Sequence, residues 1–339
     1  IAKYGTMLNV PEAELSEKCC QDAEATLALY ETMWPKANKE YAELEFQLIP
    51  LLMKMSDRGL LLDQGVRAEL EEQLVKDVSF YHQLAEGMGF NPASPQQVAY
   101  ILAKRKNFLP MTRSRKSLSS AEDVLMKLSD PVAGLVLNFR EKAYLLGHYI
   151  KPYAESSRAY TEFHLDAITG RVSSSNRNMQ NIPPGRARNM FLPDSGCWSD
   201  LDYSQIELRI LAYLSQDREM LYVYETGGDI HQVTADFMGI ARRVAKNVNF
   251  AMIYGATAET IAETAEILDI GRARRLLKMW FAKYPQAADW IMQQQEMGLK
   301  QRYVTTVMGR NLRLPGEFED RDEGVKRKAV NYIIQGTAA

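Results

Sequence analysis

Cysteine is scarce in this 339-residue sequence: Cys19, Cys20 and Cys197 are its only three, and none stands at metal-ligand spacing from a histidine. That excludes a disulfide scaffold and a zinc module, and an odd few thiols suit a reducing compartment. Long apolar runs are missing too. No stretch approaches the ~18 consecutive apolar residues that a membrane helix needs, and IAKYGTMLNV is no signal peptide, so a cytoplasmic setting is expected. Neither sign of charge dominates. Lys and Arg number 41 against 43 Asp and Glu, a formal net charge of -2, so any binding of nucleic acid must come from local basic patches. There is no Gly-rich phosphate loop, no arrangement for a nucleophilic serine or cysteine, and no histidine pair, since His82, His148, His164 and His231 lie far apart. What is present, 46% hydrophobic and 25% charged residues, is the composition of a globular protein of roughly two or three compact units. The start at Ile and the stop at QGTAA are those expected of a fragment.

Residues 11 to 33 carry a helical pattern ending at Trp34-Pro35, and a second helical run, ELEFQLIPLLMKMSDRGLLLD, follows. From about 66 to 155, stretches such as AELEEQLVKDVSFYHQLAEGMGF and SPQQVAYILAKRKNFLP predict long amphipathic helices. After them MTRSRKSLSSAED reads as an exposed tip between helices, whose cations Arg113, Arg115 and Lys116 are either solvated or in contact with phosphate. At 161 to 203 the character changes to TEFHLDAITGRVSSSNRNMQNIPP and then CWSDLD, which predicts a sheet-containing unit with long functional loops. Residues 205 to 300 return to helix.

In SDLDYSQIELRILAYL, 199 to 214, the carboxylates Asp202 and Glu207 stand five positions apart in an otherwise strongly apolar stretch. CWSDLD has the alternation of a short strand, whereas Ile206, Ile210, Leu211 and Leu214 recur at helical spacing. Asp202 is therefore expected where a strand hands over to a helix, a place where open sheets hold ligands and ions. Ser204 followed three residues later by Glu207 fits a capping box at the helix start.

In GIARRVAKNVNFAMIYG, residues Arg242, Lys246, Phe250 and Tyr254 stand at steps of four. On a helix such residues drift ~40° per step and rise ~6 Å, so two cations followed by two aromatics share one face. The cations fall at the helix start, where the macrodipole disfavours positive charge and an external anion would relieve it. A triphosphate with a sugar and base fits that stripe; a basic solvent face above core aromatics is the alternative. A second stripe, Arg327, Asn331 and Gln335 in KRKAVNYIIQG, presents hydrogen-bond donors that suit the acceptors of any base pair in the minor groove, or else forms the polar face of an amphipathic helix. The loop TGRVSSSNRNMQN, with Arg171 and Arg177, suits contacts to a nucleic-acid backbone or a primer terminus.

Taken in order, TGRVSSSNRNMQNIP, DYSQIELR, DIHQVTA, RRVAKNVNFAMIYG and NYIIQGTAA resemble the motifs of the family A DNA polymerases, bacterial DNA polymerase I and its phage relatives. The resemblance implies an α+β right-hand fold with a palm sheet, a helical thumb and helical fingers, preceded by the tail of a 3'-5' exonuclease-like domain. It implies that tail in 1 to 35, the first palm helix and thumb in 36 to 155, palm in 156 to 208, fingers in 209 to 315 and resumed palm in 316 to 339. The implied activity is template-directed DNA synthesis on a primer-template with deoxynucleoside triphosphates, using two Mg2+ ions for which Mn2+ can substitute. Asp202 and the backbone carbonyl of Tyr203 are the implied metal ligands. Arg242, Lys246 and His231 are implied to hold the triphosphate, with Lys246 also the general acid for the leaving pyrophosphate. Phe250, Tyr254 and Gln205 complete the nucleotide site, and Glu207 is the implied steric gate against a 2'-hydroxyl. Arg171, Asn178, Gln180, Asn181, Arg327, Asn331 and Gln335 are the implied DNA contacts. A monomer in the cytoplasm of a bacterium or a phage-infected host, away from membranes and with an unidentified processivity partner, is expected.

The sequence departs from the family at three places. The family's later His-Asp-Glu hairpin, which carries the second metal-binding carboxylate, does not occur here, and Asp200 matches no ligand in the family. The connection between DFMGI and ARRVAKN is shorter than usual. In EKCCQDAEATLALYETMWP, Asp22 matches an exonuclease metal ligand, but Lys18 stands where a tyrosine is expected, so proofreading is unsupported. Two alternatives stay open: a catalytically incompetent primer-template-binding fragment, and a related single-subunit RNA polymerase, against which Glu207 argues.

Overall fold

The computed structural model describes residues 6–112, 114, 116–255, 257–264, 269–314 and 322–339. The chain opens with helices α1 (Glu12–Met33) and α2 (Lys39–Arg58), strand β1 (Leu60–Leu62), and helices α3 (Gln64–Gly87), α4 (Pro95–Lys104), α5 (Glu122–Leu125) and α6 (Pro131–Leu145). Four short strands follow: β2 (Arg158–Ala159), β3 (Glu162–His164), β4 (Ser173–Ser175) and β5 (Phe191–Leu192). Helices then dominate: α7 (Ile206–Ser215), α8 (Arg218–Glu225), α9 (Ile230–Met238), α10 (Arg242–Ile253), α11 (Ala258–Thr264), α12 (Ile270–Lys283) and α13 (Pro285–Gln301). The hairpin β6 (Tyr303–Thr305) and β7 (Asn311–Arg313) precedes the last helix, α14 (Asp322–Ala338). The mixed, helix-rich class read from the sequence is the one observed.

The elements form two compact units. One comprises the N-terminal segment to Leu51, Asp166–Arg171 and Asp202–Ala339; the other comprises Leu52–Leu165 and Val172–Leu201. In the second unit an antiparallel sheet of order β2-β1-β5 sets Leu61 opposite Arg158 and Leu192. Leu62, Leu70, Leu74, Tyr149, Ile150, Tyr153 and Met190 form its core, and a second core gathers Phe90, Val98, Leu102, Leu125, Val132 and Val136. Asp63, Ser94 and Asp130 cap α3, α4 and α6 by accepting from first-turn amides, each contributing about 1 kcal/mol. Of the basic tip, Arg113 and Arg115 lie outside the described residues, and Lys116 is exposed beside the bridge between Met111 and Leu118.

In the first unit, α7 to α13 and part of α14 enclose a core around Leu208, Leu211, Met220, Ile230, Val248, Trp280, Tyr284 and Ile334. Asp217, fully buried, joins two helices: its carboxylate accepts from Met220 N at 3.1 Å, capping α8, and from Ala287 N at 3.2 Å in the first turn of α13. Helices α13 and α14 approach so closely at Gly298 that a Cβ there would lie 2.5 Å from the Ala329 Cβ. Helix α1 contains no buried residue, and Trp34 at its end stacks between Tyr30 and Phe46, with ring centroids 5.6 and 6.0 Å away.

Two local expectations are corrected. CWSDLD is not a strand. Residues 197–203 are irregular and exposed, because a strand must pair its backbone N–H and C=O groups and no described segment pairs with this one. Asp202 therefore precedes α7 on an irregular segment and not at a strand end. Nor do Ser204 and Glu207 form a capping box: α7 takes Gln205 as its N-cap, in the left-handed conformation at φ 56°, with no side-chain cap. The expected boundary between fingers and palm at 315 to 316 lies outside the described residues.

Candidate active site

Glu207 stands in the first turn of α7 and is 7% exposed. Burial of a carboxylate requires partners for its oxygens, and two provide them. Arg171 makes an ion pair with Oε1, and the Tyr254 hydroxyl donates to Oε2 at 3.5 Å. Tyr254 in turn accepts from the Gln335 amide at 3.3 Å. Arg171, Glu207, Tyr254 and Gln335, each named from a separate motif, thus form one hydrogen-bonded chain. Beside it Gln205 accepts from the Tyr224 hydroxyl at 3.3 Å, and the Arg209 guanidinium lies 4.4 Å from the Tyr224 ring centroid. Burial raises the Tyr224 phenol well above its usual range, against the opposing charge of Arg209.

Helix α10 carries the cation and aromatic stripe as spaced, with Tyr254 as its C-cap. Its N-cap, Ala241, supplies no side-chain cap, and its first turn holds no acid, so amides and cations point to an anion there. Part of that anionic charge comes from within the protein. Asp229 accepts from Arg242 Nε at 2.6 Å while capping α9 through His231 N at 2.9 Å and Gln232 N at 3.4 Å. Desolvation pushes its carboxyl upward, but the bonds from Arg242 and the two amides outweigh it and hold the pKa below the usual value. The short connection noted in the sequence is a turn of Gly239, Ile240 and Ala241 between α9 and α10. Exposed Lys246 places Nζ 6.0 Å from the Phe250 centroid, and the His231 ring lies 5.7 Å from that of Phe250. His231 is 2% exposed, and its pKa is lowered by burial first and by Arg242 and Lys246, with Asp229 opposing.

The α14 stripe meets the end of α10 directly. Gly255, at φ +63°, lets the chain pass Arg327 so closely that a Cβ would lie 2.9 Å from the Arg327 Cα. Tyr254, Gly324, Arg327, Lys328 and Asn331 line a groove of about 210 Å³. The Asn331 amide nitrogen is buried without a hydrogen-bond partner, a condition that costs about 1–3 kcal/mol and makes it a strong donor for an entering acceptor.

The other implied contacts are less tightly gathered. Asn178, Gln180 and Asn181 belong to the second compact unit. Asn178 shapes its own loop, accepting from Ser174 Oγ at 2.8 Å and Gln180 N at 3.0 Å, whereas the Gln180 and Asn181 side chains are exposed. Arg177 is exposed and lies 4.9 Å from the Tyr153 ring centroid. Asp202 and Tyr203 are exposed on the irregular segment. Among the described residues no three His, Cys, Asp or Glu side chains gather as a metal site, so Asp202 and the Tyr203 carbonyl do not by themselves fit a magnesium pair. Asp22 is ion-paired with Lys18 and exposed.

Sequence reasoning missed the supports of the α10 stripe: Asp229, Thr234, Asn249 and Trp280. One signal was present. Residues 245, 248, 249 and 252 are the buried face of α10, and Asn249 is the one polar residue among them.

The sequence model of DNA polymerase family A matches residues 63–339. The chain belongs to this family. It is similar to the thermostable DNA polymerase I of Thermus filiformis, 32% identical over 363 residues that cover 96% of this chain and 43% of that protein. It is 30% identical to DNA polymerase I of Pseudomonas aeruginosa, over all of this chain and 41% of that one. The chain thus spans about two fifths of the length of these curated relatives. Among solved structures, the POL domain of Pol1 from M. smegmatis, in complex with DNA primer-template and dNTP, superposes with a TM-score of 0.77 at 27% identity, covering 87% of this chain and 57% of that one. The right-hand polymerase fold is therefore the family's, and among the described residues no helix is long and apolar enough to cross a membrane.

Proposed function

We propose that this chain carries out template-directed DNA synthesis, adding deoxynucleotides to a primer 3' end with release of pyrophosphate. The observation that carries the reading is the α10 stripe, whose cationic end lacks a side-chain cap and whose aromatic end is bonded to Glu207 and Gln335. Family membership and the likeness to a polymerase domain seen with primer-template and nucleotide support it.

In this reading Arg242, Lys246 and His231 hold the triphosphate, and the Lys246 ammonium gives its proton to the leaving pyrophosphate oxygen. Phe250 stacks at the sugar and nascent base pair. Glu207, immobilised by Arg171 and Tyr254, fills the space beneath C2' and excludes a 2'-hydroxyl. Gln205 steadies the start of α7. Arg327, Asn331, Gln335 and the second guanidinium edge of Arg171 donate to minor-groove acceptors, which every base pair presents, so duplex is gripped without sequence preference. Asn178, Gln180 and Asn181 contact the primer-template near its end. Asp202 would supply one carboxylate toward Mg2+, at a site that the described residues do not complete. We assign residues 36 to 155 to the first palm helix and thumb, 156 to 208 and 316 to 339 to the palm, and 209 to 315 to the fingers. We assign the working form to a cytoplasmic monomer.

Primer extension tests the reading, using magnesium, deoxynucleotides and a primed template with the 339-residue chain, the encoded gene's full product and Asp202→Ala in each. Extension by the full product, abolished by the Asp202 change, is expected. Primer-template binding with no extension by either protein would replace the reading with that of a binding fragment.

A further inference from the structure

Behind the nucleotide stripe lies a buried polar cluster whose protons can be placed one by one. Trp280 is fully buried, and its indole Nε1–H, which can only donate, gives its hydrogen to Asn249 Oδ1 at 2.9 Å. That contact determines which end of the 1%-exposed Asn249 amide is oxygen. The amide nitrogen is therefore the end 3.0 Å from His231 Nδ1 and 3.1 Å from Thr234 Oγ1, a hydroxyl that also lies 3.3 Å from Asn249 Oδ1. Thr234 has one hydroxyl proton, and the Ile230 carbonyl at 2.7 Å can only accept it. Its oxygen is thus left to accept from Asn249 and from the Tyr284 hydroxyl at 2.7 Å. Burial pushes the Tyr284 phenol up to about 12, so it keeps the proton it donates. With every other group assigned, Asn249 donates to His231 Nδ1. An imidazole nitrogen that accepts a hydrogen bond carries no proton, and in the neutral ring the proton then sits on Nε2.

We propose that Asn249 is a positioning residue that holds His231 as the neutral Nε2–H tautomer, giving the triphosphate site an uncharged donor of fixed direction beside the cations Arg242 and Lys246. The triphosphate part rests on the polymerase reading; the tautomer does not. The ionisable groups facing His231 are Asp229 on its own helix cap, Arg242 and Lys246 on α10, and Tyr284 through Thr234. Only Asp229 favours the charged ring, and its carboxylate is engaged by Arg242 and two amides. A neutral donor fits a site already holding two cations, because a third positive charge there would be repelled while an N–H donor is not.

Nitrogen NMR of the 339-residue chain labelled with 15N-histidine reads the tautomer directly, with four histidines to resolve and His231→Gln to assign the one. Wild type is expected to show an unprotonated Nδ1 and a protonated Nε2 between pH 6 and 8. Asn249→Asp keeps an acceptor for Trp280 but turns an acceptor toward His231, and should move the proton to Nδ1 or charge the ring. Trp280→Phe frees the amide to turn and should give a mixture. A wild-type proton on Nδ1, or an Asn249→Asp spectrum unchanged at His231, overturns the tautomer. In primer extension by the full gene product, Asn249→Asp should raise the KM for deoxynucleotide roughly tenfold or more, with a smaller change in kcat. An unchanged KM with the tautomer moved overturns the positioning role, and absence of extension by wild type defeats the polymerase reading while the NMR result still judges the tautomer.

Discussion

Asp202 and Glu207 stand five residues apart in one segment and are held in opposite ways. Glu207 is buried on the first turn of a helix with a partner on each oxygen, so its place is determined by the protein before any ligand arrives. Asp202 is exposed on an irregular stretch, between Leu201 at 92% exposure and Tyr203 at 80%. A carboxylate whose oxygens are both engaged acts through volume and position. One whose oxygens face water is available to a cation, but ordering its backbone costs about 1–2 kcal/mol per residue. In the proposed nucleotide site the pair would thus divide the labour between a preformed wall and a metal ligand on an irregular segment.

The largest expected effect falls on the loosely held member. Asp202→Ala in the full gene product should lower the extension rate by about a thousandfold, the several kcal/mol that a metal's charge contributes to a transition state. It should leave thermal stability within about 0.5 kcal/mol, as at other exposed positions. A clear loss in the melting curve would mean that Asp202 is fixed by the fold after all, and the contrast with Glu207 would collapse. Next comes Phe250→Tyr, which adds a hydroxyl on the face shared by Lys246 and His231. If that hydroxyl replaces the bond lost with a missing 3'-hydroxyl, dideoxynucleotide incorporation relative to deoxynucleotide should rise roughly 10- to 100-fold. Discrimination at the 2' position should stay with Glu207, and competition assays with both analogues separate the two. For Glu207 itself, Glu207→Ala should increase ribonucleotide incorporation about tenfold and destabilise the first unit by about 1–3 kcal/mol, because Arg171 and Tyr254 lose their acceptor. Glu207→Gln keeps the volume and should keep most of the sugar selectivity. Equal loss of selectivity in both variants would show that charge excludes the ribose and that shape does not.

How far these environments can be read from the sequence depends on the range of the forces that make them. The stripe Arg242, Lys246, Phe250 and Tyr254 was legible because helix period alone sets it, and α10 forms where its apolar positions recur. The same reasoning found α1 to α4 and α6. It misread CWSDLD, since alternation predicts which face a strand would present but not whether a second strand is there to pair with it. Spacing suggested a capping box at Ser204, yet Gln205 enters the left-handed region and the Glu207 carboxylate is drawn instead to Arg171, 36 positions earlier. Asn249 meets partners 15 to 31 positions away, a convergence that one sequence cannot display.

The smallest effect concerns a third carboxylate that shares a property with each of the first two. Asp194, in the second compact unit, is exposed like Asp202 but engaged on both oxygens like Glu207. It accepts from Arg158 Nη1 at 2.6 Å and from Arg58 Nε at 2.7 Å. The hydrogen bond from Arg158, then that from Arg58, lowers its pKa to about 2 from an ordinary 3.8. A folded-state pKa below the unfolded one contributes stability that is full above pH 3.8 and is lost as pH falls through about 2. Urea midpoints should therefore decline over that window, and Asp194→Asn should flatten the decline while costing little at neutral pH, since water screens the pair. If the Asn variant tracks wild type down to pH 2, engagement of both oxygens without burial does not fix a carboxylate, and burial alone is what separates Glu207 from Asp202.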